Sequence, residues 1–210
     1  MTMKSIYFVG AGGIGMSALE RYFKAEGYKV GGYDKTPSSL TETLISEGID
    51  IHFEDDIEAV DPVFKNPDET IICYTPAIPK DHGELCYFQQ NGFKVMKRSQ
   101  LLGIITREKR GLCISGTHGK TTTSSMVAHI LKQSHIDCNA FLGGILKPYG
   151  SNFMLSAKSD LTVIEADEFD RSFHTLSPYQ AVITSCDPDH LDIYGTEEAY
   201  RDSFAHFSSL

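Results

Sequence analysis

The feature that most constrains the fold of this chain is the alternation of short β-rich runs with stretches of helical periodicity. In the first half, "KSIYFV" and "ETIICYT" are typical of buried strands, whereas "IGMSALERYFKAEG" repeats apolar residues at helical spacing. Gly27, Gly48 and Gly92 each close a helical stretch, where a left-handed C-cap is expected. This alternation predicts βαβ units and therefore an α/β fold built on parallel sheets.

Composition narrows the class of protein further. The formal net charge of −9 over 210 residues argues against a nucleic-acid-binding protein, because such proteins usually display a basic face. The five cysteines include no C-x-x-C pair, which fits neither a disulfide framework nor a zinc site and favours a reducing cytoplasm. The chain has no apolar stretch of about 18 residues, so no membrane span is predicted. Composition leaves the oligomeric state open.

A change of pattern in the middle of the chain divides it into two predicted domains. The apolar stretch "SQLLGIIT" is followed by a charged connector, "REKR" (residues 107–110), and then by a new strand, "GLCIS". We therefore place a domain boundary near Thr106. Residues 1–106 are predicted to form one α/β domain with a parallel sheet, and residues 107–210 belong to a second α/β domain.

The first glycine-rich loop lies between a predicted strand and a predicted helix. Gly10, Gly12 and Gly15 fit the pattern G-x-G-x-x-G, and Asp34 ends the next strand, where a ribose-binding acid is expected. Glycines let backbone N–H groups approach a diphosphate, and the helix that begins near Ile14 offers its positive end. These residues alone fit an NAD site, a site for another nucleotide diphosphate, or a tight structural turn.

The second loop, "SGTHGKTTT", carries a stronger signal for phosphate binding. Lys120 supplies positive charge to a triphosphate, and the hydroxyl of Thr121 can ligate Mg²⁺. A complete Walker A motif would have glycine where Ile114 stands, so this is a shortened loop in which Gly116 takes the early turn. The strand-like "CIS" before it and the helical "SSMVAHIL" after it give the context that the motif requires.

Acidic residues and a histidine follow two later strands. Glu165 ends the apolar run "LTVIE" and is the first choice for a magnesium ligand in the manner of a Walker B acid. Asp167 and Glu168, taken singly, are typical of solvated loop acids. His190, in "DPDHLD", fits either a ligand of a second metal ion or an ordinary loop histidine.

Four segments together, "GAGGIGMSA", "GTHGKTTT", "EADE" and "DHLD", resemble the Mur ligases of peptidoglycan synthesis. The resemblance covers nearly the whole chain. It implies that residues 1–106 form a Rossmann-like, parallel-sheet domain for the UDP-sugar and that residues 107–210 form the first part of a P-loop ATPase-type α/β domain that binds ATP. It implies an enzyme that uses ATP and Mg²⁺ to join L-alanine to UDP-N-acetylmuramate through an acyl phosphate. The implied UDP-sugar site has the diphosphate on the first loop, with Asp34 near the uridine, and comprises Gly10, Ala11, Gly12, Gly13, Ile14, Gly15, Asp34 and Thr75.

The same resemblance assigns the second loop to ATP. The implied ATP-binding residues are Gly116, Thr117, His118, Gly119, Lys120, Thr121 and Thr122. The implied catalytic residues are Lys120, Glu165 and His190, with Thr121 and Glu165 on one Mg²⁺ and His190 on a second.

The chain departs from this family in two respects. Ser185 stands where the family often has asparagine, and no lysine follows His190 to serve as the carbamylated lysine of some members. Family members are also longer, so we expect this chain to be an N-terminal part that is inactive alone. The alternatives are a two-domain NAD-dependent oxidoreductase, a stand-alone nucleotide-binding module, and the murein tripeptide recycling ligase, which shares the GTHGKTTT loop.

Overall fold

The first part of the protein is a three-layer α/β unit. The computed structural model describes residues 4–210, which fold into two compact units that divide between Leu101 and Leu102. The five strands of the first unit form one sheet in the order β3-β2-β1-β4-β5, and every neighbouring pair is parallel. Its strands are β1 (Ser5–Val9), β2 (Lys29–Tyr33), β3 (Asp50–His52), β4 (Thr70–Tyr74) and β5 (Lys94–Lys97).

The helices of this unit follow the predicted pattern. They are α1 (Ile14–Ala25), α2 (Ser39–Ser46), α3 (Gly83–Gln90) and α4 (Arg98–Glu108). The strand β1 is buried along its whole length, as expected for a central strand covered on both faces. Gly27, Gly48 and Gly92 have φ values of 88°, 82° and 78°, which confirms the left-handed positions that were expected after three helices.

The predicted connector between the domains does not exist as a separate loop. The division of the chain between Leu101 and Leu102 lies inside α4, and so does Thr106, where the sequence placed the boundary. The expectation of a charged connector at residues 107–110 was wrong, because α4 continues through its first two positions. Arg107 lies in the last turn, where a cation complements the negative end of the helix dipole.

The second unit contains a mixed sheet in the order β10-β6-β9-β7-β8. Four strands are parallel, and β8 runs antiparallel to β7. The antiparallel pair follows from the link at residues 147–150, which is too short for a crossover and can join only antiparallel neighbours. The strands are β6 (Arg110–Ser115), β7 (Asn139–Leu146), β8 (Ser151–Met154), β9 (Leu161–Glu165) and β10 (Gln180–Ile183).

Helices cover part of this second sheet. They are α5 (Lys120–Gln133), α6 (Leu191–Tyr194) and α7 (Glu197–Phe207). A core of buried side chains, including Ile114, Ala128 and Val163, joins α5 to the sheet. Within residues 4–210, no helix has the length and apolar character needed to cross a membrane. The α/β fold class predicted from the sequence is confirmed for both units.

Candidate functional site

The strand order of the first unit creates a crevice at the carboxyl ends of β1 and β4. These neighbouring strands connect to opposite sides of the sheet, and ligands of open α/β sheets bind at such a switch point. Gly10 follows β1, and Thr75 follows β4. Thr75 N donates to Val9 O over 3.3 Å, and a Cβ atom on Gly10 would lie 2.5 Å from Thr75 Cγ2. The structure therefore brings together the two segments that were assigned to one site.

The first glycine loop is tied to the end of β2. Gly10 N and Ala11 N both donate to Tyr33 O, at 2.8 and 2.9 Å. Gly12 N donates to Asp34 Oδ2 over 2.6 Å. Asp34 therefore holds the loop itself, and its expected place near a uridine stays a prediction. Gly13 caps α1 without a side-chain hydrogen bond, and the positive end of the helix dipole lies at this loop.

Two glycines of this loop make room for the protein's own side chains. A Cβ atom on Gly12 would lie 2.8 Å from Asp34 Oδ2, and one on Gly15 would collide with the guanidinium of Arg98. Arg98 was not predicted as a site residue, because it lies more than 80 residues after the loop, in a basic pair with Lys97 that fits no motif. Its charge also opposes the rise in pKa that burial imposes on the Cys73 thiol of β4. A cation thus lies beside the first turn of α1, where an anion is expected.

The second loop joins β6 to α5 in the strand–loop–helix order that was predicted. Gly116 and Gly119 have φ values of 136° and 82°, which L side chains rarely adopt. Thr117 N donates to Ser185 O over 3.1 Å, and His118 N donates to Ser185 Oγ over 2.9 Å. Ser185, which differs from the residue often found in the family, therefore holds the loop through two hydrogen bonds to its backbone.

The start of α5 is suited to an anion. Gly119 caps the helix without a side-chain hydrogen bond, and the first N–H groups of any helix lack intrahelical acceptors. Thr122 is exposed in the first turn. Thr117 Oγ1 donates to Asp187 O over 2.7 Å and is paired with the hydroxyl of Tyr200 over 2.8 Å, which anchors the loop.

Lys120 lies in the loop with two acceptors. Its Nζ donates to Gly116 O and to Glu168 Oε1, both over 2.7 Å. The Glu168 side chain is 1% exposed, whereas the Lys120 side chain is 18% exposed. The interpretation of Glu168 as a solvated loop acid was therefore wrong. Its position three residues after Glu165 gave no sign of burial, because the turn that folds it inward follows a strand and has no periodic pattern.

Thr121 and Glu165 are brought into contact, as the sequence predicted. Thr121 Oγ1 donates to Glu165 Oε1 over 2.8 Å, and Gly143 N donates to Glu165 Oε2 over 2.9 Å. A Cβ atom on Gly143 would lie 2.5 Å from that carboxylate, so only glycine leaves room for the Glu165 side chain at this position. Gly143 was not predicted from the sequence as a site residue. A hydroxyl and a carboxylate oxygen are the hard ligands that Mg²⁺ prefers, so the pair fits this ion.

Within the described part of the chain, His190 contacts Asp189 and Phe169 but neither of the other two predicted metal ligands, Thr121 and Glu165. It has φ 52° and precedes α6, its Nδ1 lies 3.8 Å from Asp189 Oδ1, and its ring packs on Phe169. Among residues 4–210, no group of three or more His, Cys, Asp or Glu side chains is arranged to hold a metal ion. The role of His190 at a second metal stays a prediction.

Two protein-family models match this chain, one over the region of each glycine loop. Residues 5–110 match the family model described as the Mur ligase family, catalytic domain, and residues 114–209 match the Mur ligase middle domain. The chain is 69% identical over 206 residues to the UDP-N-acetylmuramate–L-alanine ligase of Parabacteroides distasonis, covering 98% of this chain and 45% of that protein. The chain thus spans about half the length of this relative.

Two solved structures share the fold. The UDP-N-acetylmuramate–alanine ligase of Thermotoga maritima is 31% identical, with a TM-score of 0.87, over 98% of this chain and 47% of that one. A UDP-N-acetylmuramate:L-alanyl-γ-D-glutamyl-meso-diaminopimelate ligase from Neisseria meningitides is 26% identical, with a TM-score of 0.86, over 98% of this chain and 67% of that one. Both glycine loops lie within the matched family regions, and the chain belongs to the Mur ligase family.

Proposed function

We propose that this chain carries the UDP-sugar site and most of the ATP site of a ligase that joins L-alanine to UDP-N-acetylmuramate in peptidoglycan synthesis. The observation that carries the proposal is the contact set of the second loop, in which Lys120 lies between two acceptors and Thr121 meets Glu165. An NAD-dependent oxidoreductase binds no triphosphate, so its reaction does not explain the lysine, hydroxyl and carboxylate of this loop. A stand-alone nucleotide-binding module needs one phosphate-binding loop, so it does not explain the second, separate glycine loop.

In the ATP site, each loop residue has a role that follows from its position. The backbone N–H groups from Gly119 to Thr122, at the start of α5, surround the phosphates, whereas Thr117 N and His118 N hold the loop on Ser185. Lys120 provides charge where negative charge develops during transfer. Bound Mg²⁺ would be held by Thr121 and Glu165, where it neutralises phosphate charge. His190 is proposed as the ligand of a second Mg²⁺.

In the UDP-sugar site, the first loop binds the diphosphate. The N-terminus of α1 presents the positive end of its helix dipole at this loop, and the guanidinium of Arg98 beside Gly15 adds a positive charge suited to phosphate. Thr75 lines the same crevice from the end of β4. Asp34 orders the loop through Gly12 and lies at the end of the strand next to β1, on the expected ribose side.

The proposed reaction has two steps. The muramoyl carboxylate attacks the γ-phosphate of ATP to form an acyl phosphate and ADP. The amino group of L-alanine then attacks the acyl carbon, and inorganic phosphate leaves. Lys120 stabilises the transferring phosphoryl group in the first step. We place this activity in the cytoplasm, and the free thiol state of all five cysteines supports a reducing compartment.

The second candidate is a murein tripeptide ligase, since one solved neighbour carries such a name. The 69% identity with an L-alanine ligase, against 26% with that neighbour, favours alanine as the acceptor. Both candidates bind a UDP-sugar or a related muramoyl substrate together with ATP. They differ in whether L-alanine or a tripeptide is the incoming amine.

Calorimetry tests the proposal on the chain itself. We expect saturable binding of UDP-N-acetylmuramate and of Mg-ATP, and no binding of NAD. Heat from NAD with none from the UDP-sugar would contradict the proposal and favour an oxidoreductase. Incubation with ATP, Mg²⁺, L-alanine and the UDP-sugar should give no ligated product with this chain, and product in the full-length relative serves as the positive control.

A further inference from the structure

The buried carboxylate of Glu168 is one of two acceptors for the loop lysine, and the function proposed above gives this carboxylate no role of its own toward the nucleotide. Its Oε1 accepts from Lys120 Nζ over 2.7 Å. Its Oε2 is buried and has no hydrogen-bond partner among the residues that the structure describes. A buried carboxylate is costly unless its charge is compensated. The Glu168 carboxylate therefore costs free energy to bury, which suggests that its contact with Lys120 serves the site.

The backbone around Glu168 is fixed. The carbonyl oxygen of Glu168 accepts hydrogen bonds from the hydroxyl of Tyr194 and from Arg171 N, the latter over 3.0 Å. Ala166 N donates to Ile114 O over 2.8 Å, which extends the pairing of β6 and β9 beyond the end of β9. The turn that carries the carboxylate is thus held by backbone hydrogen bonds. The position of this acceptor for Lys120 is therefore fixed without a bound ligand.

The number of donors on the lysine leaves one free for an anion. An ammonium group has three N–H donors. In this structure two of them are used, by Gly116 O and by Glu168 Oε1. Both acceptors belong to the protein and lie on different segments, so together they fix the direction of the ammonium group. One N–H is left for a phosphate oxygen at the loop.

We propose that Glu168 is a positioning residue, which orients the Lys120 ammonium for the phosphates and does not contact the nucleotide. The proposal rests on the ATP site proposed above. It has two consequences. Loss of the carboxylate charge releases the ammonium from its fixed direction. The same loss removes a negative charge near the phosphates, so it leaves the affinity for Mg-ATP unchanged or higher.

The first test observes the lysine directly and needs no nucleotide. The chain is labelled with ¹⁵N-lysine, and the side-chain ammonium signal of Lys120 is assigned by its loss in Lys120→Arg. We expect Glu168→Gln to speed hydrogen exchange of that ammonium on the order of tenfold, because a charge-assisted hydrogen bond is lost. Glu168→Asp should give an intermediate rate, and the neighbouring Asp167→Asn serves as the matched control with the wild-type rate.

The second test is calorimetric titration of the same variants with Mg-ATP. We expect Glu168→Gln to keep the wild-type dissociation constant within about threefold or to lower it, and Lys120→Ala to lose most of the affinity. In the full-length relative, turnover of the Gln variant should fall while its KM for ATP does not rise.

Two results would overturn the proposal. One is an unchanged exchange rate for Lys120 in Glu168→Gln, which would show that the carboxylate does not hold the lysine. The other is loss of Mg-ATP binding in a folded Gln variant as complete as that of Lys120→Ala, which would show direct contact with the ligand. If the wild-type chain binds no Mg-ATP at all, the proposed function fails, and the exchange rates still decide whether Glu168 fixes Lys120.

Discussion

Replacement of Glu20 should stabilise the first unit. This residue lies on α1 and is 0% exposed, and neither of its carboxyl oxygens has a hydrogen-bond partner among residues 4–210. Burial raises its pKa well above the ordinary value for a glutamate; Arg21 opposes this shift, and Asp34 and Glu47 add to it. The side chain thus costs free energy whether it is protonated or ionised.

The size of the effect follows from the groups left without partners. A buried polar group without a hydrogen bond costs about 1–3 kcal/mol, and a neutral carboxyl carries one unmet donor and one unmet acceptor. Glu20→Leu removes both and keeps a similar volume, at a repacking cost of under about 1.5 kcal/mol. We expect a net gain of about 0.5–4.5 kcal/mol, which corresponds to a rise of roughly 2–20 °C in the Tm of a unit of this size.

The effect should depend on pH in a defined direction. The pKa of Glu20 in the folded state lies above its value in the unfolded chain, so the wild type loses stability as pH rises above about 4.3. The advantage of Glu20→Leu should therefore be smaller at pH 5 than at pH 8. Glu20→Gln, which cannot ionise, should lose the same pH dependence.

Thermal unfolding of the first unit, followed by circular dichroism at both pH values, measures the effect. The exposed Glu26 ends the same helix, so Glu26→Gln is the matched control, and its Tm should stay within about 2 °C of the wild-type value. A Glu20→Leu variant that is equally or less stable than the wild type at pH 8 would refute the reasoning, since it would mean that the carboxyl has a partner.

Three further variants probe the two sites and the edge of the second sheet. Arg98→Ala should weaken binding of UDP-N-acetylmuramate on the order of tenfold or more in calorimetry, with Arg98→Lys between it and the wild type; equal affinities would remove the guanidinium from the site. Ser185→Ala should weaken Mg-ATP binding by about two- to fivefold, because His118 N loses its acceptor, whereas a wild-type constant would show that the loop does not need this support. Val182 is 45% exposed on β10, which pairs only with β6 among residues 4–210. We expect this apolar edge strand to favour self-association, so Val182→Lys should reduce the associated fraction in sedimentation experiments. Association that is unchanged by the lysine would show that β10 is not the interface.

The parts of the fold that follow regular patterns were predictable. The helix α1 begins at Ile14, where the apolar periodicity begins, and the three C-cap glycines have the expected conformation. The strand β3 was missed because its three residues are too short for a periodic signal. The hairpin of β7 and β8 was missed because its turn at residues 147–150 lacks the Asn-Gly or Asp-Gly pair that marks such turns.

At the sites, the sequence identified the loops but not the side chains that reach them from elsewhere. The loop glycines and Lys120 are adjacent in the chain, so their spacing was informative. Arg98 and Glu168 reach the loops only after the chain folds, and Gly143 is separated from Glu165 by 22 positions. Contacts of this kind depend on strand order, which local patterns do not encode.

The central claim is that one chain binds a UDP-sugar at the first loop and Mg-ATP at the second, independently. Native mass spectrometry of the chain with both ligands tests this most directly. We expect one molecule of each ligand per chain, with Arg98→Ala losing only UDP-N-acetylmuramate and Lys120→Ala losing only ATP. Competition of the two ligands for a single site, or loss of both in either variant, would contradict the account.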